Sequence, residues 1–125
     1  MKLKKIDLIR LVTPTTNENR LKKILKNASG FLYYVTITGI TGQGSAKMTD
    51  IKKSIKKIKK HTKLPVVAGF GIKNSSQVKK VFAFADGAVV GSSIVSIIEK
   101  NLKNNQKIIL NKILKFVSQL KGKNI

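Results

Sequence analysis

Four short β-rich runs, each leading into a stretch of helical spacing, constrain this chain more than any other feature of its sequence. That alternation is the mark of parallel βα units, in which every strand needs a crossover helix before the next can run in the same direction. The first run is Leu8 to Val12, closed by Thr13-Pro14. The second, Phe31 to Ile37, has no charge and is rich in aromatic and β-branched residues, as expected of a strand buried on both faces. The third, Pro65 to Ala68, runs into Gly69-Phe70-Gly71, and the fourth, Ala88 to Val90, is bracketed by Gly87 and Gly91.

The helices carry their own signals. Asn17 is placed to cap a helix whose Leu21, Ile24, Leu25 and Ala28 recur at three and four, with Gly30 as its stop. Thr49 is expected to cap the next, with Ile51, Ile55 and Ile58 on one face, Asp50 in the first turn and His61 in the last. Asn74 or Ser75 starts a third, with Val78, Val81 and Phe82 facing the core. A short helix from Ser92 to about Lys100 follows the fourth run. After a polar break, a final amphipathic helix carries the stripe Ile109, Ile113, Phe116, Val117 and Leu120. There is no sequence-identical repeat and no Pro/Gly/Ser-rich linker, so residues 1–125 are expected to form a single domain.

The net charge of +21 points first to a polyanion partner such as nucleic acid or an anionic membrane. Its distribution argues otherwise. The lysines sit between apolar residues at helical spacing, as in Ile51-Lys52-Lys53-Ser54-Ile55-Lys56-Lys57-Ile58, where they form the wetted side of an amphipathic helix. Arginine, the better bidentate reader of phosphates and bases, occurs only at Arg10 and Arg20. No nucleic-acid or membrane partner is therefore expected. The chain has no cysteine and a single histidine, which leaves no thiolate metal site and no zinc site. No apolar run is long enough to span a bilayer, and the basic start lacks a secretory apolar segment, so a cytoplasmic location is expected.

In parallel βα architectures the loops after the strands form the functional face, because all the strands end on one side. Here those loops are Thr38-Gly39-Ile40-Thr41-Gly42-Gln43-Gly44-Ser45, then Gly69-Phe70-Gly71, then Gly91-Ser92-Ser93 opening a helix. Glycine lets backbone N–H groups approach an anion, and a helix start adds the positive end of its dipole. Glycines after the last two strands, with a short extra helix after the final one, match the phosphate site of many strand-helix barrels. The three loops are expected to meet at one phosphate. No acid-base group accompanies them: Asp7 and Asp86 precede strands and belong to the opposite rim, Glu18 and Asp50 open helices, and Glu99 lies late in the short helix. Tyr33 and Tyr34 alternate on the second strand, so one of them faces inward.

These residues resemble a specific family. Ser29-Gly30-Phe31-Leu32-Tyr33-Tyr34-Val35 through Thr38-Gly39-Ile40-Thr41-Gly42 resembles the sixth strand and following loop of tryptophan synthase alpha subunits. Leu64-Pro65-Val66 through Gly69-Phe70-Gly71-Ile72 is similar to the seventh strand and turn, and Asp86-Gly87-Ala88-Val89-Val90-Gly91-Ser92-Ser93-Ile94-Val95 to the eighth strand and phosphate helix. The resemblance covers nearly the whole chain. It implies an α/β fold that is the C-terminal (β/α)4 half of a TIM (β/α)8 barrel, with a short phosphate-binding helix and a final amphipathic helix.

The family reaction so implied is the cleavage of indole-3-glycerol phosphate to indole and glyceraldehyde 3-phosphate. It needs no cofactor in this subunit, and indole passes to a beta subunit bearing pyridoxal phosphate. Carried over by position, Gly42, Phe70, Gly71, Gly91 and Ser92 would hold the substrate phosphate. Thr41 would belong to the closing loop, and Tyr33, Gly69 and Val89 would border the indole end of the pocket. Gln43-Gly44-Ser45 departs from the usual Ala-Arg-like continuation of that loop.

The family's acid-base pair, a glutamate ending the second strand and an aspartate in the loop after it, belongs to the half-barrel that this sequence does not span. The isolated chain is therefore expected to bind phosphate weakly, to cleave nothing, and to need its missing half or to self-associate. The competing readings are a basic nucleic-acid-binding module and half of another phosphate-binding barrel, such as a histidine- or thiamine-pathway enzyme.

Overall fold

The computed structural model describes residues 6–36 and 48–121. Four strands, β1 (Arg10–Val12), β2 (Leu32–Val35), β3 (Val66–Gly69) and β4 (Gly87–Val89), alternate with helices α1 (Glu18–Lys26), α2 (Met48–Lys59) and α3 (Ser75–Phe82). Helices α4 (Ser92–Glu99) and α5 (Gln106–Lys121) follow the last strand. The strands form one parallel sheet in the order β1-β2-β3-β4. Chain order and spatial order coincide, so the sheet contains no reversal of the kind that puts helices on both faces of a doubly wound fold.

All the strands are shorter than expected or displaced by about a residue. Pairing decides the limits: β1 begins at Arg10 because that is the first residue with a partner, Leu32, and β3 extends to Gly69 because Val35 and Val89 flank it. The expected end of the second run, Ile37, lies outside the described residues.

Successive side chains of a strand point to opposite faces, and register carries that alternation across the sheet. One face holds Val12, Leu32, Tyr34, Val66 and Ala68, all buried. Against it pack Leu21 of α1, Ile51, Ile55 and Ile58 of α2, Val78 and Val81 of α3 and Leu120 of α5. Full burial of one such aliphatic side chain is worth about 1.5–3 kcal/mol, so the isoleucine stripe of α2 is a large share of what holds its unit in place. The other face carries Leu11, Tyr33, Val67 and Gly87 in one row, and Val35, Gly69 and Val89 in the next. Leu11 is 58% exposed there.

Local chemistry explains the helix limits. Asn17 caps α1, its side chain accepting from Arg20 N, and Asn74 caps α3 by accepting from Gln77 N. Helix α1 ends at Lys26 rather than at Gly30; Gly30, with φ of 72°, instead makes the left-handed turn into β2. Helix α2 begins at Met48, so Thr49 sits inside its first turn rather than capping it. Phe82 is 45% exposed, and Phe84, two residues beyond the helix, occupies the core position expected of it. Val117 is also partly exposed, leaving Leu120 as the buried anchor of α5, with Phe116 packed beside the core.

Candidate phosphate-binding rim

Because all four strands are parallel, the segments that follow them emerge on one edge of the sheet. After β3 the chain passes through Phe70, partly buried against the core, to Gly71, whose φ of 66° is a left-handed conformation that favours glycine. Ile72, 1% exposed, then pins the turn. After β4 the chain reaches Gly91, the N-cap of α4, whose carbonyl accepts from Ile94 N at 2.9 Å and Val95 N at 3.1 Å. Gly91 has no side chain to cap the helix, so the leading amides of α4 lack the partner that Asn17 and Asn74 give to α1 and α3.

The two turns are joined. Ser93 Oγ donates to the Ile72 carbonyl at 3.1 Å, tying the start of α4 to the turn after β3. Sequence reasoning gives Ser93 no role; the serine pair after Gly91 is its only local signal, and the partner lies 21 residues away. A Cβ placed on Gly71 or Gly91 would meet nothing within 4 Å, so the space before both is open. Gly91 has a negative φ, so neither backbone conformation nor crowding by its own chain calls for glycine there.

Of the expected phosphate contacts, the structure brings together Phe70, Gly71, Gly91 and Ser92. Gly42, Thr41 and Gln43-Gly44-Ser45, expected to belong to a closing loop, lie outside the described residues. Tyr33, Gly69 and Val89 share the face opposite the helices, Gly69 pairing with Val89 across β3 and β4. Tyr33 is thus the inward tyrosine of the pair and Tyr34 the outward one. Its ring lies on Gly69: a Cβ there would fall 2.9 Å from Tyr33 Cε2 and closer still to the hydroxyl. Glycine at 69 makes room for a tyrosine laid across the inner face.

The acidic groups that the structure describes with partners are tied up in structural contacts. Asp86, just before β4 and at the opposite end of the strands, accepts from Val66 N through Oδ2 at 2.8 Å and from Lys59 Nζ through Oδ1 at 2.8 Å. Those bonds, Lys59 first, hold its carboxyl below the usual range. Glu18 lies 3.7 Å from both Lys22 and His61, and His61, just past α2, donates its amide to the Ile58 carbonyl. Burial raises the Tyr34 hydroxyl above its ordinary pKa; a hydrogen bond with Ser54 partly offsets this, and Asp50 adds to it. Among the described residues no cluster of three or more His, Cys, Asp or Glu is arranged to hold a metal, and no helix is long and apolar enough to cross a membrane. A separate apolar cavity of about 280 Å³ opens among α3, β4, α4 and α5, lined by Val78, Phe82, Ala88, Ile94 and Val117. Ala88 sits in the row of Tyr34 and Ala68, which places this cavity on the helix side of the sheet, away from Tyr33 and Gly69.

The family model described as tryptophan synthase alpha chain matches residues 1–124. The tryptophan synthase alpha chain of Methanocaldococcus jannaschii is 50% identical over 103 residues, covering 82% of this chain and 37% of that protein. Among solved structures, the alpha subunit of Campylobacter jejuni is 37% identical with a TM-score of 0.76, over 95% of this chain and 45% of that one. The Pyrococcus furiosus subunit is 27% identical with a TM-score of 0.77, over 95% and 46%. The chain thus spans less than half the length of the relatives it matches. Its parallel sheet in sequential order, with helices packed on one face, superposes on part of these TIM barrels. With a family model that matches it almost from end to end and a relative 50% identical to it over most of its length, this chain belongs to the tryptophan synthase alpha chain family.

Proposed function

We propose that this chain is the carboxy-terminal half of a barrel that cleaves indole-3-glycerol phosphate to indole and glyceraldehyde 3-phosphate, and that its share of the work is to hold the substrate phosphate. In this reading its 125 residues act as one partial domain in the cytoplasm. The supporting observation is the Ser93–Ile72 hydrogen bond, which sets the open turn at Gly71 beside the uncapped start of α4. Backbone amides and a helix N-terminus facing open space suit a dianionic phosphate, and they need no lysine to do so. Phe70, Gly71, Gly91 and Ser92 form the clamp, Gly42 completes it from the loop after β2, and Thr41 belongs to the segment that closes over it. Tyr33, Gly69 and Val89 border the indole moiety, where an aromatic ring and an aliphatic wall offer apolar contact without a titratable group.

Proton transfer falls to carboxylates outside this chain, on the complementary half-barrel, and the indole released passes to a beta subunit. Closure over the site would exclude water from the reacting bond. The test is to follow indole release from indole-3-glycerol phosphate by the chain alone and after mixing with an amino-terminal half-barrel of a related alpha subunit. Release by the mixture alone is the expected result. Release by the isolated chain would show that the acid-base pair lies within these residues and would overturn the division of labour.

A further inference from the structure

The apolar cavity among α3, β4, α4 and α5 has no part in the phosphate rim or in the inner face around Tyr33. The sequence pattern places Phe82 and Val117 in the core, yet the fold leaves them 45% and 37% exposed, as walls of this cavity. Ala88 of β4 lines it from the sheet, and Val90 and Ile94 line it where the chain passes into α4. Protein interiors are close-packed, and side chains around a void forgo the dispersion contacts that an occupant would restore. An apolar cavity of about 150 Å³ holds benzene, so one of about 280 Å³ takes a fused two-ring aromatic. A space of that volume, bounded by four elements of the chain, admits a small molecule and not a further helix.

Every residue lining the cavity is apolar except Lys121, the last residue of α5. Lys121 is exposed, and a lysine so placed lays its methylenes along an apolar wall while its ammonium stays in water. No carboxylate lines the cavity, α5 carries no acidic residue, and among the described residues no acidic group pairs with Lys121. We infer that this cavity is a binding site for a small aromatic carboxylate, its rings among Phe82, Ala88, Val90, Ile94 and Val117 and its carboxylate on the Lys121 ammonium. A neutral hydrocarbon would use the walls and leave the one cation beside them idle, and an aromatic amine would meet that cation with like charge. A bare phosphate gains nothing from apolar walls, which separates this site from the turns at Gly71 and Gly91. The inference does not rest on the reaction proposed above.

The probe is naphthoate, with naphthamide as its uncharged twin, each titrated into the full chain. The chain has no tryptophan, so the fluorescence of the naphthalene ring reports binding without an indole background. Naphthoate should bind more tightly than the amide. Lys121→Gln should weaken naphthoate by about two- to fivefold, the range of an exposed ion pair, and leave the amide unchanged. Lys107→Gln, on the same helix but outside the cavity, should change neither. Ala88→Leu fills the cavity from the sheet and should remove the binding of both probes. Val117→Phe, at a partly exposed position, asks the same question if the strand variant folds poorly, and circular dichroism checks each. Binding that survives both filled variants would place the probe elsewhere and overturn the proposal. So would equal affinity for acid and amide, an equal loss with Lys107→Gln, or failure of both probes to bind. No readout depends on cleavage, so failure here and failure of the functional reading are distinguishable.

Discussion

Ser93 Oγ donates to the carbonyl of Ile72 at 3.1 Å, a bond between the first turn of α4 and the turn that follows β3. Removing it by Ser93→Ala leaves a partly buried carbonyl without that partner and should lower stability by about 0.5–1.5 kcal/mol in urea denaturation. If the two turns form one anion site, the same change should also weaken glyceraldehyde 3-phosphate binding by the chain mixed with an amino-terminal half-barrel. Calorimetric titration checks that, and unchanged affinity alongside lowered stability would confine Ser93 to a structural role.

Gly69 and Tyr33 provide a second test, because the tyrosine ring occupies the space a side chain at 69 would need. Gly69→Ala should cost about 1–3 kcal/mol from overpacking. The hydroxyl is the nearest atom, so adding Tyr33→Phe should return part of the loss, with a coupling of about 0.5 kcal/mol or more in a double-mutant cycle. Strictly additive effects would mean that the ring moves away freely and that its position over Gly69 is not fixed by packing.

The element order was legible because each parallel strand needs its own crossover, so the alternation of β-rich runs and helical stripes leaves little choice of architecture. The caps at Asn17 and Asn74 were legible too, being contacts three residues long. Phe82 and Phe84 show where local pattern ends. Phe82 fits the spacing of Val78 and Val81, but α3 stops there, and the turn after it carries Phe84 into the core instead. Val117 fits its stripe equally well, yet it stays 37% exposed, lining the cavity among α3, β4, α4 and α5 rather than packing into the core. Glycines at 71 and 91 were visible in the sequence as residues of the segments that follow the strands, whereas the bond that ties those two segments together spans 21 residues and leaves no periodic trace. The remaining two expected site residues, Thr41 and Gly42, lie outside the described segments.

Asp86 gives a pH-dependent prediction. Its folded-state pKa is lowered, first by the hydrogen bond from Lys59 and then by that from Val66 N, so it stabilises the fold above the ordinary carboxylate pKa. That contribution is lost as pH falls through the lowered value. Asp86→Asn keeps an acceptor for Val66 N but removes the charge facing Lys59, an exposed pair of the kind worth about 0.2–1 kcal/mol. The variant should therefore be less stable than the parent at pH 7, with the gap closing in acid and shrinking in high salt. A gap that persists unchanged into acid would assign the effect to altered packing rather than to the ion pair.

Tyr34 tests the opposite limb. Its hydroxyl is buried between β2 and α2, and burial raises its pKa, with the Ser54 hydrogen bond opposing that shift and the charge of Asp50 reinforcing it. A tyrosine held protonated in the fold contributes fully below the unfolded-state value of about 10 and loses that contribution as pH rises toward the higher folded value. Tyr34→Phe keeps the ring in the core and gives up the hydroxyl's polar interaction with Ser54, so at pH 7 it should cost up to about 1.5 kcal/mol. Above pH 10 the parent pays for ionising a buried phenol and the variant does not, so the two stability curves should converge. The two proteins differ only at residue 34, so the difference between the curves isolates the tyrosine. Parallel curves through that range would mean that Tyr34 meets water readily, and that the contact between β2 and α2 is looser than its 1% exposure indicates.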